Sequence, residues 1–299
     1  MSGAASAAGK LHTHDAGARC VVYSDGQWFE GDQPIFSAMS PASWLSSVVF
    51  DGGRAFAGVA PDLDLHCQRV VASAHILGIQ SPLTAGEIED LCWEGIRRFP
   101  KTAELYVRPM VFAGAGFVTP EPGSARISIV VHEAPLPGDS GFSACVSSFR
   151  RPSPESAPTE AKASCLYPNV ARCMQEATER GFDNAIVRDM NGNVAELATA
   201  NLFIAKDGVA ITPAANGTFL NGITRQRVVA LFNDAGVPVE ERRVTVEDVL
   251  EADEVFSTGN HAKVRPITRV EECHYQAGPI GRRARDLYFD YAASTPSRW

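Results

Sequence analysis

The stretch TEAKASCLYPNVARCMQEATERGFDNA, residues 159–185, places one lysine, Lys162, among small residues directly ahead of a predicted helix. Lysine side chains are rarely buried unless they are paired, so most lysines in such a place are solvated surface groups. A lysine amine can also act as a nucleophile or proton carrier. Which of the two applies to Lys162 depends on what the rest of the chain places around it.

The composition is that of an acidic folded protein. Its 299 residues are 45% hydrophobic, enough for two domains, and carry a formal net charge of −8. No basic run suits a nucleic acid, and no apolar stretch approaches the ~20 residues of a membrane span. Histidines and cysteines lack metal-ligand spacing, so no metal site is expected. Seven scattered cysteines predict a reduced, cytoplasmic protein, and residues 1–19 are interpreted as a flexible tail.

Residues 20–149 show the pattern of a smaller α+β domain. The segment VVYSDGQWFEG predicts a hairpin that turns at Asp25-Gly26. A helix is predicted to begin at Thr84, which has capping-box spacing to Glu87. A further helix is predicted over 62–79, and strands over 103–114, 125–134 and 142–149.

The segment RRPSPESAPTEA, residues 150–161, is rich in proline and serine and is the predicted interdomain linker. Residues 162–299 follow as a larger domain, with hairpin turns predicted at Asn191-Gly192 and Asp207-Gly208. Antiparallel strands with helices on the outside predict a second α+β or barrel-like domain. The helices are predicted at 223–236, 246–252 and 280–293, and the strands after the hairpins at 238–246 and 253–259.

Lys162 has several chemically useful residues downstream. Tyr167 follows it by five positions, and Glu196 lies beyond the first hairpin. The segment LNGITR places Gly222, Ile223 and Thr224 at the start of a helix, and STGNHAKV places Gly259 and Asn260 at the end of a strand. Helix starts and glycine turns offer free backbone N–H groups, which suit a phosphate. Each feature taken singly is also common in ordinary turns and hairpins.

Taken in order, these segments resemble the fold-type IV pyridoxal-phosphate enzymes, the branched-chain aminotransferase family. The segment VVFDGGRAFAG resembles that family's F-E-G-x-R block, LHCQR its H-x-x-R, and LYVRPMVF its Y-x-R-P strand. The resemblance runs from about residue 20 to 290 in the family's order. It implies an α+β fold with a smaller N-terminal α/β sandwich and a larger C-terminal pseudo-barrel, with the cofactor in the cleft between them. It also implies a homodimer.

The resemblance assigns the cofactor, pyridoxal 5'-phosphate, to named residues. Lys162 is the amine that carries the cofactor and moves the substrate's proton. Because a free lysine amine is protonated at neutral pH, the chain is expected to favour its neutral or cofactor-linked form. Glu196 keeps the pyridine nitrogen protonated, and Tyr167 bonds the ring's 3-oxygen. The other implied cofactor contacts are Arg69, Leu220, Ile223, Thr224, Gly259 and Asn260.

The resemblance also implies a substrate pocket, built for an amino donor and a 2-keto acid. Arg108 and the loop at His261 and Ala262 are expected to receive a carboxylate, beside Tyr106. Leu45, with Met110 and Phe112, is expected to take the donor's side chain. Arg54 of the F-E-G-x-R block completes the set.

Three positions depart from the branched-chain subfamily. Leu45 replaces its usual aromatic residue, Asn260-His261 its Thr-Ala, and Gly53 a bulkier residue. An (R)-selective amine transaminase is therefore an alternative to a branched-chain enzyme. A D-amino-acid transaminase, an aminodeoxychorismate lyase and a catalytically silent homologue are further alternatives.

Overall fold

The computed structural model describes residues 18–299, so the predicted tail at 1–19 lies almost entirely outside the described residues. The chain builds two β-sheets with helices packed against them. The predicted α+β class is confirmed. No helix within 18–299 combines the length and apolar character needed to cross a membrane.

The first sheet has six strands and forms the smaller domain. Its order is β2 (Gln27–Glu30), β1 (Cys20–Ser24), β6 (Ala125–Glu133), β5 (Leu105–Ala113) and β3 (Val48–Phe50), with β4 (Gly53–Ala55) also paired to β5. The helices of this part are α1 (Pro41–Trp44), α2 (Leu63–Ile76) and α3 (Ala85–Ile96). Every pairing in this sheet is antiparallel, as expected for a sheet built largely from hairpins.

Local signals in this domain act as the sequence predicts. Asp25 and Gly26 both have positive φ angles in the hairpin turn, which suits the twist of the flanking strands. The side chain of Thr84 accepts a hydrogen bond from the Glu87 amide at 3.3 Å, and Glu87 accepts one from the Thr84 amide at 2.7 Å. Helices α2 and α3 bury their apolar faces on the sheet, forming a core that includes Cys67, Val70, Ile88, Val107 and Ile129.

The second sheet has nine strands and forms the larger domain. Its order is β12 (Val239–Arg242), β11 (Val209–Pro213), β10 (Asn201–Lys206), β13 (Glu254–Gly259), β14 (Lys263–Val270), β7 (Phe142–Arg150), β8 (Asn184–Arg188) and β9 (Val194–Leu197), with β15 (Cys273–His274) on β14. Its helices are α4 (Tyr167–Glu179), α5 (Ile223–Asp234), α6 (Val246–Leu250) and α7 (Pro279–Ser294). Helices α5 and α7 cover β10 and β13 through Phe203, Val228, Phe256 and Tyr288.

Two features of this sheet differ from the sequence prediction. Strand β7 was placed in the N-terminal domain of 20–149, but it pairs with β14 and β8 of the large sheet. The change from one sheet to the other therefore falls between Glu133 and Phe142, ahead of the predicted linker at 150–161. The sheet is also mixed, because β7 runs parallel to both neighbours and β12 runs parallel to β11. Strand pairing is non-local, so neither feature has a local sequence signal.

Candidate active site

A cavity of about 660 Å3 lies between the two sheets. Its wall takes residues from β3, α2 and β5 of the small domain and from the α4, α5 and β13 regions of the large one. Such a volume is typical of a site that binds a small molecule or cofactor. The predicted residues that line it are Arg69, Tyr106, Arg108, Lys162, Tyr167, Glu196, Leu220, Ile223, Thr224, Gly259, Asn260 and His261.

Lys162 is fixed in the cavity wall by its backbone. Its carbonyl accepts a hydrogen bond from the Phe50 amide at 3.1 Å, and its own amide donates to the Ser73 hydroxyl at 3.1 Å. A short 3-10 turn at Ser164–Leu166 then leads into α4, and the chain reversal brings the Tyr167 phenol back to the amine. Lys162 Nζ donates to the Tyr167 hydroxyl at 2.8 Å. The predicted contact of Tyr167 with the cofactor's 3-oxygen stays a prediction, and the phenol lies beside the amine that would carry the cofactor.

The charges around Lys162 act against the expected neutral amine. Burial by itself lowers the pKa of Lys162, but its electrostatic interactions with Tyr167, Asp51 and Tyr106 raise it by more. The net direction is upward, so the side chains of the chain favour the ammonium form. The sequence predicts a neutral or cofactor-linked amine; these interactions act against the neutral form, and the cofactor-linked form stays a prediction.

Glu196 lies on β9 and is almost fully buried. Its carboxylate is 3.4 Å from Arg151 Nε, and Asn201 Nδ2 donates to it at 3.3 Å. Burial raises the pKa of Glu196 to about 7, against the opposing effect of Arg151 and Lys162. A carboxyl group tuned to neutral pH can hold or release a proton at a neighbouring basic atom.

A buried carboxylate, Asp51, organises the small-domain side of the cavity. It accepts hydrogen bonds from Arg69 Nε at 2.7 Å and Arg69 Nη2 at 2.9 Å, and lies 2.6 Å from His66 Nδ1. Burial raises the pKa of Asp51, but the charges of Arg69 and His66 hold it well below its usual range. With Nε and Nη2 held by Asp51, the remaining Arg69 nitrogen, Nη1, is buried without a partner among residues 18–299.

The start of α5 supplies backbone donors. Gly222 is the N-cap of this helix and provides no capping side chain, so the first amides at Ile223 and Thr224 remain available for a ligand. Asn201 holds the turn in place, because its Oδ1 accepts from the Gly222 amide at 3.0 Å and its Nδ2 donates to the Leu220 carbonyl at 3.0 Å. A Cβ at Gly222 would overlap Asn201 Oδ1, so only glycine allows this approach.

The residues of the cavity fit a phosphate ester such as pyridoxal phosphate. Beside Arg69 Nη1, the buried atoms Thr258 Oγ1 and Asn260 Nδ2 have no hydrogen-bond partner within the described chain. All three residues line the cavity. Buried polar groups are rarely left without partners, so unpaired donors around one cavity indicate a ligand rich in acceptor oxygens. Lys162 lines the same cavity and would carry the cofactor there.

Comparison with known proteins decides the family. Residues 48–270 match the amino-transferase class IV family. The chain belongs to the class IV aminotransferases. Enzymes of this class use pyridoxal phosphate, so this protein is a pyridoxal-phosphate-dependent aminotransferase, as the resemblance in its motifs predicted.

Three relatives show how far the similarity of this aminotransferase extends. An aminotransferase from Brucella abortus, solved with bound PLP, is 46% identical, with a TM-score of 0.91 over 92% of this chain and 100% of that one. The Escherichia coli branched-chain amino acid aminotransferase is 29% identical, with a TM-score of 0.85 over 94% and 97%. The Pseudomonas aeruginosa branched-chain-amino-acid aminotransferase is 32% identical over 90% of this chain and 92% of its own. The predicted two-domain, fold-type IV architecture is confirmed.

The substrate side of the aminotransferase agrees less well with the sequence prediction. Tyr106 and Arg108 share one face of β5 and line the cavity, with the Arg108 guanidinium 5.4 Å from the Tyr106 ring centre. His261 lies at the cavity's edge, whereas its neighbour Ala262 is not part of the wall.

Four other predicted pocket residues lie elsewhere. Leu45 ends α1 and is 36% exposed, and Phe112 packs with Ile35, Ala42 and Val48 in a separate small cluster. Neither these two nor Met110 and Arg54 contribute to the cavity wall. Arg54 is buried behind the wall, where its Nη2 donates to the Ala134 carbonyl at 2.6 Å. These positions, and Ala262, lie outside the wall of this cavity, and their contact with a substrate stays a prediction.

Several cavity residues were missed by the sequence reading. The sequence predicts Arg151 as part of a linker, whereas in the structure its Nε lies 3.4 Å from the Glu196 carboxylate. Asp51 and His66 stand inside the two motifs that were recognised, but only their arginines were assigned roles. Thr258 occupies the [ST] position of the strand motif ADEVFSTG, which was a usable signal. Gly52 lies so close to the Tyr106 hydroxyl that a Cβ would overlap it, and no sequence pattern predicts this contact.

Proposed function

We propose that this aminotransferase moves the amino group of a branched-chain L-amino acid to 2-oxoglutarate. The observation that carries the proposal is the Tyr106–Arg108 face inside the cavity. A guanidinium presents a planar fork that binds a carboxylate bidentately, so Arg108 favours substrates that carry one. The branched-chain donors of the named relatives support the same choice.

The roles of the chain's own residues follow from their positions. Bound pyridoxal phosphate supplies an electron sink for the negative charge that develops at the substrate's α-carbon. Lys162 Nζ is the attachment point and carries the proton away from that carbon and back. The Tyr167 hydroxyl, 2.8 Å from Nζ, orients the amine. Glu196, with its pKa raised to about 7, holds the proton at the pyridine nitrogen.

The phosphate is assigned to the part of the cavity where donors lack partners. Arg69 Nη1, the amides of Ile223 and Thr224, and the turn at Gly259-Asn260 supply those donors. Charge-assisted hydrogen bonds to a phosphate are among the stronger polar contacts in proteins, so these groups anchor the cofactor while Lys162 reacts. Leu220 also lines the cavity wall and is assigned to the ring face.

A donor panel tests the substrate assignment. We expect L-leucine, L-isoleucine or L-valine with 2-oxoglutarate to give a higher kcat/KM than (R)-1-phenylethylamine with pyruvate. The reverse order would make this enzyme an (R)-selective amine transaminase. The variant Arg108→Met should raise the KM for 2-oxoglutarate, whereas Arg126→Met, an exposed arginine on the neighbouring strand, should leave it unchanged. Equal behaviour of the two variants would remove Arg108 from carboxylate binding.

We further propose that the enzyme works as a homodimer in the cytoplasm. Large apolar side chains are exposed near α1 and in the loop between β5 and β6. Met39 is 86% and Phe117 76% exposed, and Trp44 contacts Phe117. Exposed apolar groups of this kind support association with a second copy. All seven cysteines are free, which supports a reducing compartment. Light scattering on wild type and Met39→Glu would test the dimer, and a stable wild-type monomer would contradict it.

A further inference from the structure

A second buried lysine, Lys263, lies beneath the turn that ends β13. Its residue is 1% exposed, and the ammonium lies 5.4 Å from the centre of the Tyr288 ring. No carboxylate of residues 18–299 lies within ion-pair distance of it. Burying an ammonium without an ion-pair partner is costly, and burial lowers the pKa of Lys263 to about 7, helped by the charge of Arg54 and opposed by the charge of Asp62. The assigned roles of Lys162 and Glu196 make no use of this residue.

The backbone at Lys263 shows that the side chain itself matters. Gly259 pairs with Lys263 across a three-residue loop, and Lys263 has a φ of 61°, in the left-handed region. Glycine is the residue that such a position favours, because other side chains are strained there. A lysine at this position places its amine, a hydrogen-bond donor, in the protein interior beneath the loop. Strained residues held by their surroundings cluster at functional sites.

The donor has one polar partner, the side chain of Asn260. Lys263 Nζ donates to Asn260 Oδ1 at 2.8 Å. An ammonium has only hydrogens to offer, so it selects the oxygen of the amide and turns the nitrogen away from itself. Asn260 Nδ2 then lies on the side of the cavity and is buried without a partner among the described residues. In its protonated form, Lys263 thus decides the orientation of the amide.

We propose that Lys263 is a positioning residue for the phosphate of the cofactor, which it serves by orienting Asn260 so that Nδ2 donates to a phosphate oxygen. The inference rests on the assignment of this end of the cavity to the phosphate. Thr258 Oγ1 and Arg69 Nη1, also unpartnered and in the same wall, are the companions of Asn260 in this contact. A phosphate anion beyond Asn260 also supplies negative charge near the buried ammonium.

The test compares cofactor binding with and without the phosphate. Dissociation constants for pyridoxal phosphate and for pyridoxal are measured by absorbance on the cofactor-depleted full-length chain. Their ratio reports the phosphate contribution alone. In Lys263→Met, which keeps the length of the side chain but removes the donor, we expect this ratio to fall about tenfold, the effect of one charge-assisted hydrogen bond. The matched control is Lys206→Met, an exposed lysine that donates to the Glu251 carbonyl.

A double-variant cycle tests whether Lys263 acts through Asn260. We expect Asn260→Ala to lower the ratio about as much as Lys263→Met, and the combined variant to be no worse than either single one. A wild-type ratio in Lys263→Met, or losses that multiply in the combined variant, would overturn the proposal. So would equal weakening of pyridoxal and pyridoxal phosphate, which would indicate general damage.

Two further measurements keep the test decisive. If Lys263→Met does not fold, Lys263→Gly relieves the left-handed strain while also removing the donor, and Asn260→Ala alone must still show the phosphate-specific loss. An unchanged ratio with a raised KM for 2-oxoglutarate would assign Asn260 to the substrate's carboxylate and reject the phosphate role. Failure of the branched-chain assignment would leave the ratio intact, so the two failures are distinguishable.

Discussion

Two buried lysines belong to the surroundings of one cavity, and their own neighbours have opposite effects on them: Lys162 lines the cavity, whereas Lys263 lies beneath Asn260 of its wall. Lys162 lies among Tyr167, Asp51 and Tyr106, whose fields outweigh burial and raise its pKa. Lys263 is covered by Tyr288 and meets only an amide oxygen, so burial lowers its pKa to about 7. We call the part of the cavity at Lys162 the reaction end. We call the part at Asn260, beneath which Lys263 lies, the anion end.

The difference shows how the same residue type serves chemistry in one place and architecture in another. At the reaction end, acidic and phenolic groups favour the protonated amine, which must release a proton before it can form a covalent bond. At the anion end, a buried ammonium orients a neighbour, and the ligand supplies the negative charge. Burial alone does not distinguish a catalytic lysine from a positioning one. The identity of the groups facing the amine does.

The largest expected effect is at the reaction end. Lys162→Ala should reduce transamination to background, because no other described amine lines the cavity, while the fold and melting temperature remain near wild type. Steady-state rates and circular dichroism check both parts. Lys206→Ala, on an exposed hairpin, is the control and should keep full activity. Near wild-type turnover in Lys162→Ala would remove the reaction end from the mechanism.

Glu196→Gln should come next in size. A neutral amide cannot hold the pyridine nitrogen protonated, so we expect a loss on the order of 10² to 10³ in kcat with the cofactor still bound. Single-turnover rates and the cofactor's absorbance separate chemistry from binding. An unchanged kcat would reduce Glu196 to a part of the hairpin's scaffold.

A pH dependence of stability is the third expected effect. Because burial raises the pKa of Glu196 to about 7, the native chain without cofactor holds a proton that the unfolded chain releases near pH 4.5. The stability due to that proton is fully present below pH 4.5 and lost as pH rises through 7. At about 1.4 kcal/mol per pKa unit, the total is up to about 3 kcal/mol.

Urea unfolding of the cofactor-depleted protein at pH 4.5 and 7.5 measures this effect. The unfolding free energy of wild type minus that of Glu196→Gln should decrease as pH rises, because only the wild type loses the stabilising proton. Glu179→Gln, at an exposed position of α4, provides the control and should show no such trend. A difference that stays constant with pH would contradict a raised pKa for Glu196.

The smallest expected effect concerns the helix start at the anion end. In Gly222→Ala the new methyl group meets Asn201 Oδ1 and must displace it, which should cost about 1–3 kcal/mol and weaken pyridoxal phosphate binding. Thermal unfolding and cofactor titration measure the two losses. Gly86→Ala, in α3, meets no atom within 4 Å and should raise stability by about 0.5–1 kcal/mol. Equal melting temperatures for the two variants would contradict this close approach.

The fold was predictable from sequence wherever its signals are local. The hairpins at Asp25-Gly26 and Asp207-Gly208 and the capping box at Thr84 depend on residues a few positions apart, and each is present. Strand β7 was found but assigned to the wrong sheet, because its partners are β14 and β8 and strand pairing is decided at long range. The three-residue strands β3 and β4 were missed because they are too short for an alternating pattern.

The positions of the predicted substrate-pocket residues differ most from what the sequence predicts. Tyr106 and Arg108 are two apart on one strand, so their shared face follows from the alternation of side chains. Leu45 and Phe112 were assigned to the pocket through a family position, but α1 packs Phe112 into a cluster of its own and leaves Leu45 at the surface. Packing between elements, rather than motif position, decides which side chains reach a cavity.

The sequence by itself determined the family, the cofactor and the ordered set of Lys162, Tyr167 and Glu196, because motif order and turn residues are properties of the chain. Tertiary structure alone decided the electrostatics. Whether an amine or a carboxylate is buried, and which charges face it, depends on elements distant in sequence, as with Arg151 beside Glu196. Lys263 is the clearest case, since its role follows from the loop and the helix that enclose it.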